Sequence, residues 1–145
     1  MPHNVFDDLT DWAPVLAELA ALTSRGELDD HQAELARLLR YQDNWRLREA
    51  ALRAALEIRQ ASDLLIADAL NVLVDPELAL STRIAACHAL AHLLPRRQPT
   101  GVAELDLETV RKTMRDLAAR SLNPVLQHEL HQAVAATANT PAAAH

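Results

Sequence analysis

The sequence predicts an all-α fold, a short right-handed α-solenoid of antiparallel helical hairpins with an N-terminal capping helix. Three observations predict it. The stretch Asn44 to Ile58, NWRLREAALRAALEI, returns at Ser81 to Leu93 as STRIAACHALAHL, so that a shift of 35 carries Arg48 onto Arg83, Ala51 onto Ala86, Ala54 onto Ala89 and Ile58 onto Leu93. A further shift of 44 carries Ala86 onto Leu130, Ala89 onto Ala133 and Leu90 onto Val134, a weaker third copy within PVLQHELHQAVAA. Only two glycines, abundant Ala, Leu, Glu and Arg and no strand-like alternation favour helix almost everywhere. Repeats of this period are helical hairpins too small to bury their apolar faces alone, and stacking supplies the missing surface.

One domain spanning residues 1–145 suits the length, and an apolar content of 50% is enough for a core. Residues 1–9 read as a polar, loosely packed lead-in. A capping helix over 10–26 follows, with Thr10 or Asp11 as its cap and Pro14 in its first turn. Trp12, Val15, Leu16, Leu19 and Leu22 form one apolar stripe, and Gly26 supplies the left-handed residue that stops the helix.

The first repeat, 29–60, starts at Asp29 or Asp30, buries Leu35, Leu38 and Leu39, and turns at Tyr41-Gln42-Asp43-Asn44 into the opening stretch. Repeat two, 62–94, is capped by Ser62 or Asp63, buries Leu65, Ile66, Ala69, Leu70 and Leu73, and breaks at Asp75-Pro76 before Ser81 begins its second helix. The run from Leu94 to Gly101 is the longest loop signal and accounts for the wider second shift. Repeat three, 105–137, begins near Asp106, places Leu107, Val110, Met114 and Leu117 at helical spacing, and restarts at Asn123-Pro124, a cap followed by a proline suited to the first helical position. Residues 138–145 are a small-residue tail expected to be disordered.

Composition narrows the function. A net charge of −6 and a pI near 5.6 argue against generic phosphate-backbone binding, which needs clustered cations. The single Cys87 excludes an intramolecular disulfide and the thiolate zinc sites. The start MPHNVFDDLTDW lacks the pattern of a secretory signal, and no run approaches the roughly 18 apolar residues of a membrane span. A soluble cytoplasmic protein is the expectation, with no membrane contact.

These residues resemble the HEAT repeats, and in particular the short bacterial HEAT-like repeats related to those of phycobilisome lyases. The likeness rests on a turn aspartate (Asp43, Asp75), an arginine at the start of the second helix (Arg48, Arg83), and small or apolar residues after it (Ala51, Ala54, Ile58; Ala86, Ala89, Leu90, Leu93). It covers about residues 29–137 and weakens in the third copy, where Gln127 replaces the arginine and Leu130 an alanine. The resemblance implies a structural role for the aspartate and arginine, which help hold successive turns together, and a curved protein-binding scaffold.

Chemistry candidates are few. His88 and His92 lie one turn apart, and His128 and His131 three apart, a spacing that puts each pair on one helix face as zinc or nickel would require. Ordinary surface or half-buried histidines explain the same letters, neither pair brings a third ligand, and no glutamate follows His88 as a metalloprotease motif demands. No metal or other cofactor is therefore expected. Cys87 lies between Ala86 and His88 in a helix, where consecutive side chains diverge, so it reads as a packing residue. The acidic pairs Asp7-Asp8 and Asp29-Asp30 read as helix-start charges, and Gly26 and Gly101 alone form no phosphate loop. Arg46, Arg48, Arg53 and Arg59 raise the question of DNA, since some HEAT-like arrays are repair glycosylases. A short acidic chain with 3% aromatic residues argues against it, and a solvated face explains those arginines equally well.

The repeat register defines one surface spanning several copies. Equivalent positions give three rungs: Arg46, Ser81 and Val125; Arg53, His88 and Gln132; Glu57, His92 and Ala136. At spacings of three, four and seven these should form one polar face across the second helices. The expected function is a non-enzymatic adaptor or regulatory module that binds another protein through Arg46, Arg53, Glu57, His88 and His92, with Trp45 as an aromatic anchor. The alternatives are a lyase-like protein assisting chromophore attachment or removal on a client, and a DNA-binding or repair protein.

Overall fold

Local sequence signals set most helix ends of the computed structural model, which describes residues 5–97, 105–121 and 123–138. Among these the chain is all-helical, with seven α-helices: α1 (Trp12–Arg25), α2 (Gln32–Arg40), α3 (Trp45–Ala55), α4 (Asp63–Val74), α5 (Leu80–Leu93), α6 (Leu107–Arg120) and α7 (Pro124–Ala138). Side-chain oxygens of Asn44, Ser62 and Asp106 accept the orphan N–H groups of Arg46, Leu65 and Glu108 at 3.0, 3.2 and 3.1 Å. Asn123 caps α7 twice, accepting from Val125 and Leu126 at 3.0 Å each. Helix α1 ends at Gly26, whose φ of 68° lets its own N–H and that of Glu27 return to the carbonyls of Thr23 and Leu22.

Each helix buries one side, and the neighbours follow from that. Helices α2 and α3, α4 and α5, and α6 and α7 pack as sequential pairs. Across the pairs α2 meets α4, while α1, α3, α5 and α7 form a chain of neighbours in which each touches the next. The interior is built from Leu35, Leu47, Leu52, Leu65, Ile66 and Leu90. Ala51, Ala55, Ala86 and Ala89 are fully buried, and a side chain that small lets helix backbones approach closely.

The three register-equivalent polar residues do the same work. Arg48 donates from Nε to the Leu39 carbonyl (3.2 Å) and from Nη2 to that of Tyr41 (2.9 Å), closing the turn between α2 and α3. Arg83 donates to the Leu73 carbonyl at 2.8 Å, and Gln127 to the Ala118 carbonyl at 3.0 Å. The last carbonyls of a helix have no partner within it, so a long donor from the next helix satisfies one and ties the pair together. Gln127 is thus a functional equivalent of the arginines. Arg48 and Arg83 reach carbonyls, whereas the Asp75 carboxylate accepts locally from the Glu77 N–H at 2.9 Å and Asp43 stands exposed.

Several expectations need correction. Residues 5–9 are no loose lead-in: Val5–Asp7 is a 3-10 turn, and Phe6 and Leu9 are buried. Trp12 leaves the buried stripe of α1 and is 41% exposed, with its ring against Arg46 of α3. Helix α2 begins at Gln32 after a 3-10 turn, Leu28–His31, and Asp29 accepts instead from the N–H groups of Arg59 and Gln60 at 3.0 and 2.8 Å. Helix α3 stops at Ala55, and Ile58 is buried in the following turn. Helix α5 starts one residue before Ser81, and Leu94 is buried in a 3-10 turn that continues it. The loop beyond Arg97 up to residue 104, and the tail from residue 139, lie outside the described residues.

Candidate functional site

The rungs derived from the repeat fall on α3, α5 and α7, which are successive neighbours. Arg46, Ser81 and Val125 are all exposed, as are Arg53, His88 and Gln132. The residues that directly follow the second rung, Ala54, Ala89 and Ala133, are all buried. Burial thus follows the register. The third rung breaks it: Glu57 and Ala136 are exposed, but His92 is half-buried.

Both tryptophans gather at one end of this face. The Arg46 guanidinium lies 4.9 Å from the centroid of the Trp45 ring and 5.9 Å from that of Trp12, so one cation serves two π-faces. Trp45 is 56% exposed, more than any other large apolar side chain described. Behind them a groove of about 410 Å³ runs between α1 and α3, lined by Leu16, Leu19, Ala20 and Thr23 on one wall and Ala50, Arg53, Ala54, Leu56 and Glu57 on the other. Sequence reasoning found Arg53, Glu57 and Trp45 but missed the α1 wall. The signal was present: a shift of 34 carries Trp12 onto Arg46 and Leu16 onto Ala50. Reading α1 as a cap without a counterpart hid it.

Two of the histidines, His92 and His88, bridge to other elements. His92 Nε2 donates to the Ile58 carbonyl at 2.8 Å, joining α5 to the turn after α3. His88 Nε2 lies 2.7 Å from a carboxylate oxygen of Glu129 on α7. His128 pairs with Gln132 one turn on, at 3.1 Å, and His131 is exposed. Among the described residues no three His, Cys, Asp or Glu side chains come together as a metal site. Cys87 is fully buried, and burial first, then the Glu129 charge, pushes its thiol up to about 12. A thiol held so high stays protonated and is a poor nucleophile.

Of the four arginines expected on a solvated face, Arg48 departs because it is buried, whereas Arg59 stays exposed while its guanidinium donates to the Gly26 carbonyl at 2.9 Å. A smaller cavity, about 200 Å³ between α2 and α4, is lined by Arg40, Arg48, Asp68, Asn71 and Asp75 among others. Asp68 is buried there with Arg40 Nε 3.5 Å away, and its carboxyl is raised by desolvation against the pull of Arg40 and Asn71. Among the described residues no helix is long and apolar enough to cross a membrane. No family model, curated protein or solved structure matches the chain.

Proposed function

We propose that the protein is a small, non-enzymatic interaction module, a right-handed α-solenoid of three antiparallel HEAT-like hairpins and an N-terminal helix that holds another protein against the face of α3, α5 and α7. The observation that carries this reading is the alignment of exposed, register-equivalent side chains on three neighbouring helices, headed by an exposed tryptophan and an arginine. Tryptophan and arginine are the residue types most enriched at interface hot spots, and a repeat presents them as one patch. Arg46, Arg53, Glu57, His88 and Trp45 are the contact residues. His92 serves the same face by fixing α5 to the α3 turn. A fully buried, protonated Cys87 supports a binding role over a lyase-like one.

The test is capture of partners from the native host, followed by titration calorimetry of the identified client with wild-type protein, Arg53→Glu and His88→Ala. Arg53→Glu should weaken the complex about tenfold or more with helical content unchanged, since an exposed substitution usually alters stability by under about 0.5 kcal/mol. Unchanged affinity in both variants removes the binding site from this face.

A further inference from the structure

Arginine side chains in this chain are almost all engaged. Arg25 pairs with Glu18 and Glu27, Arg97 with Asp63, Arg111 with Glu108, and the other described arginines likewise have a hydrogen-bond or ion-pair partner. Arg46 and Arg53 are the exceptions. Among the described residues neither guanidinium makes a hydrogen bond or an ion pair, and the contacts of Arg46 are the two tryptophan rings. They are seven residues apart on α3, two turns along the same side, about 10.5 Å along the axis. Arg53 lines the apolar groove between α1 and α3, and Arg46 stands one turn before Ala50, the first α3 residue of its lining.

We infer that this groove receives an acidic amphipathic helix of a partner protein. The inference rests on the protein-binding reading above and specifies the partner's chemistry. Charge complementarity selects the occupant: two carboxylates seven residues apart on the incoming helix meet Arg46 and Arg53, forming charge-assisted bonds that no acid among the described residues supplies. Apolar side chains between them, at helical spacing, enter the groove over Leu16, Ala20, Ala50 and Leu56. Trp12 and Trp45 close over the head of that stripe. The lining runs from Leu16 to Thr23 and from Ala50 to Glu57, about 10 Å along each wall, and with the further turn that carries Trp12 and Arg46 at its head this matches about three helical turns of partner. Glu57 at the foot favours a lysine or arginine there, and this sets the partner's direction. The net charge of −6 does not oppose such a ligand at short range, because charges more than about 8–10 Å away are screened at physiological salt.

Trp12 and Trp45 are the chain's two tryptophans and both lie against Arg46, so intrinsic fluorescence reports on a helix bound at the head of the groove. The probe is a capped synthetic helix of about 14 residues, long enough for three turns, with two glutamates seven apart flanking a leucine stripe. A second peptide carries lysine at both glutamate positions. The glutamate peptide should produce a saturable blue shift and bind about tenfold or more tighter than the lysine peptide. Arg53→Glu should invert that preference, and recovery of binding by the lysine peptide distinguishes lost charge from lost folding. Ala20→Phe, which fills the exposed groove, should abolish both shifts. Absence of a saturable shift, equal affinity for the two peptides, or indifference to Arg53→Glu overturns the inference. So does a tryptophan shift that follows protein concentration together with a larger sedimentation coefficient, which assigns the groove to a second copy. A captured client that needs His88 but ignores Ala20→Phe leaves the adaptor reading intact and overturns the groove.

Discussion

Arg48, Arg83 and Gln127 show how one position can keep its role while changing its chemistry. Each reaches a carbonyl at the end of the preceding helix, and the length of the side chain and its N–H donor matter more than its charge. Arg48 is the buried case and holds two carbonyls. Arg48→Met should therefore cost about 2–4 kcal/mol in urea unfolding, since buried acceptors lose their donor, against about 1 kcal/mol for Gln127→Leu with its single bond. Similar losses in the two variants would mean that the clasp is not what Arg48 contributes. Asp68 makes a pH-dependent prediction. Desolvation raises its carboxyl above the ordinary aspartate range, so the folded state binds more protons than the unfolded one between the two values. Stability from this group then falls as pH rises through that window, and the penalty is fully present above the folded value. Asp68→Asn should raise the melting temperature at pH 7 and lose this advantage on acidification toward pH 4. The Arg40 partner, 58% exposed and 3.5 Å distant, offsets little. A variant less stable than wild type at pH 7 would show that the ion pair outweighs the desolvation.

Individual helices owe their limits to a few end signals and their positions to what they bury. Gly26 is the clearest end signal, because its left-handed backbone closes α1 while nothing lies within 4 Å of where a Cβ would stand. Gly26→Ala should cost about 1–2 kcal/mol for backbone conformation alone, and Gly26→Asn less. Equal stability of all three proteins by thermal melting would rule out that account. Within α5 the decisive feature is the small, fully buried Ala86. Ala86→Leu should overpack the contact and destabilise by about 1–3 kcal/mol, and an unaltered melting temperature would show that the site has room.

Across the whole molecule, the row α1, α3, α5, α7 makes each helix a lid for its neighbour. Cys87 records this for α5, since the thiol is fully buried and feels the Glu129 charge on α7. Removing α6 and α7 by ending the chain after Arg97 should expose Cys87 and bring its reaction with a thiol reagent close to the denatured rate. The full-length protein should react only through unfolding. Continued protection in the shortened chain would mean that α5 is covered from another side. The α3 to α4 connection behaves as a seam rather than a loop. Gln32 donates to the Gln60 carbonyl at 2.8 Å and accepts from the Ser62 N–H at 2.7 Å, while the Ala61 N–H reaches the Arg96 carbonyl at 2.8 Å.

Periodicity and capping chemistry by themselves determined that the chain is helical, where Asn44, Ser62, Asp106 and Asn123 begin helices, where Gly26 ends one, and which alanines and leucines are buried. Those are local properties, set by the 3.6-residue repeat and by backbone groups within four residues of a helix end. The register even aligned the exposed rungs of the candidate site. Only the tertiary structure decided that Asp29 serves the Arg59 turn, that His92 is occupied by the Ile58 carbonyl, and that Trp12 turns outward beside Arg46. It also decided that Arg46 and Arg53 stay unpaired among the described residues while Arg59 does not. These outcomes depend on residues about 30 positions apart meeting at one place, and a side chain's partner across that separation is chosen by packing geometry, which no local pattern encodes.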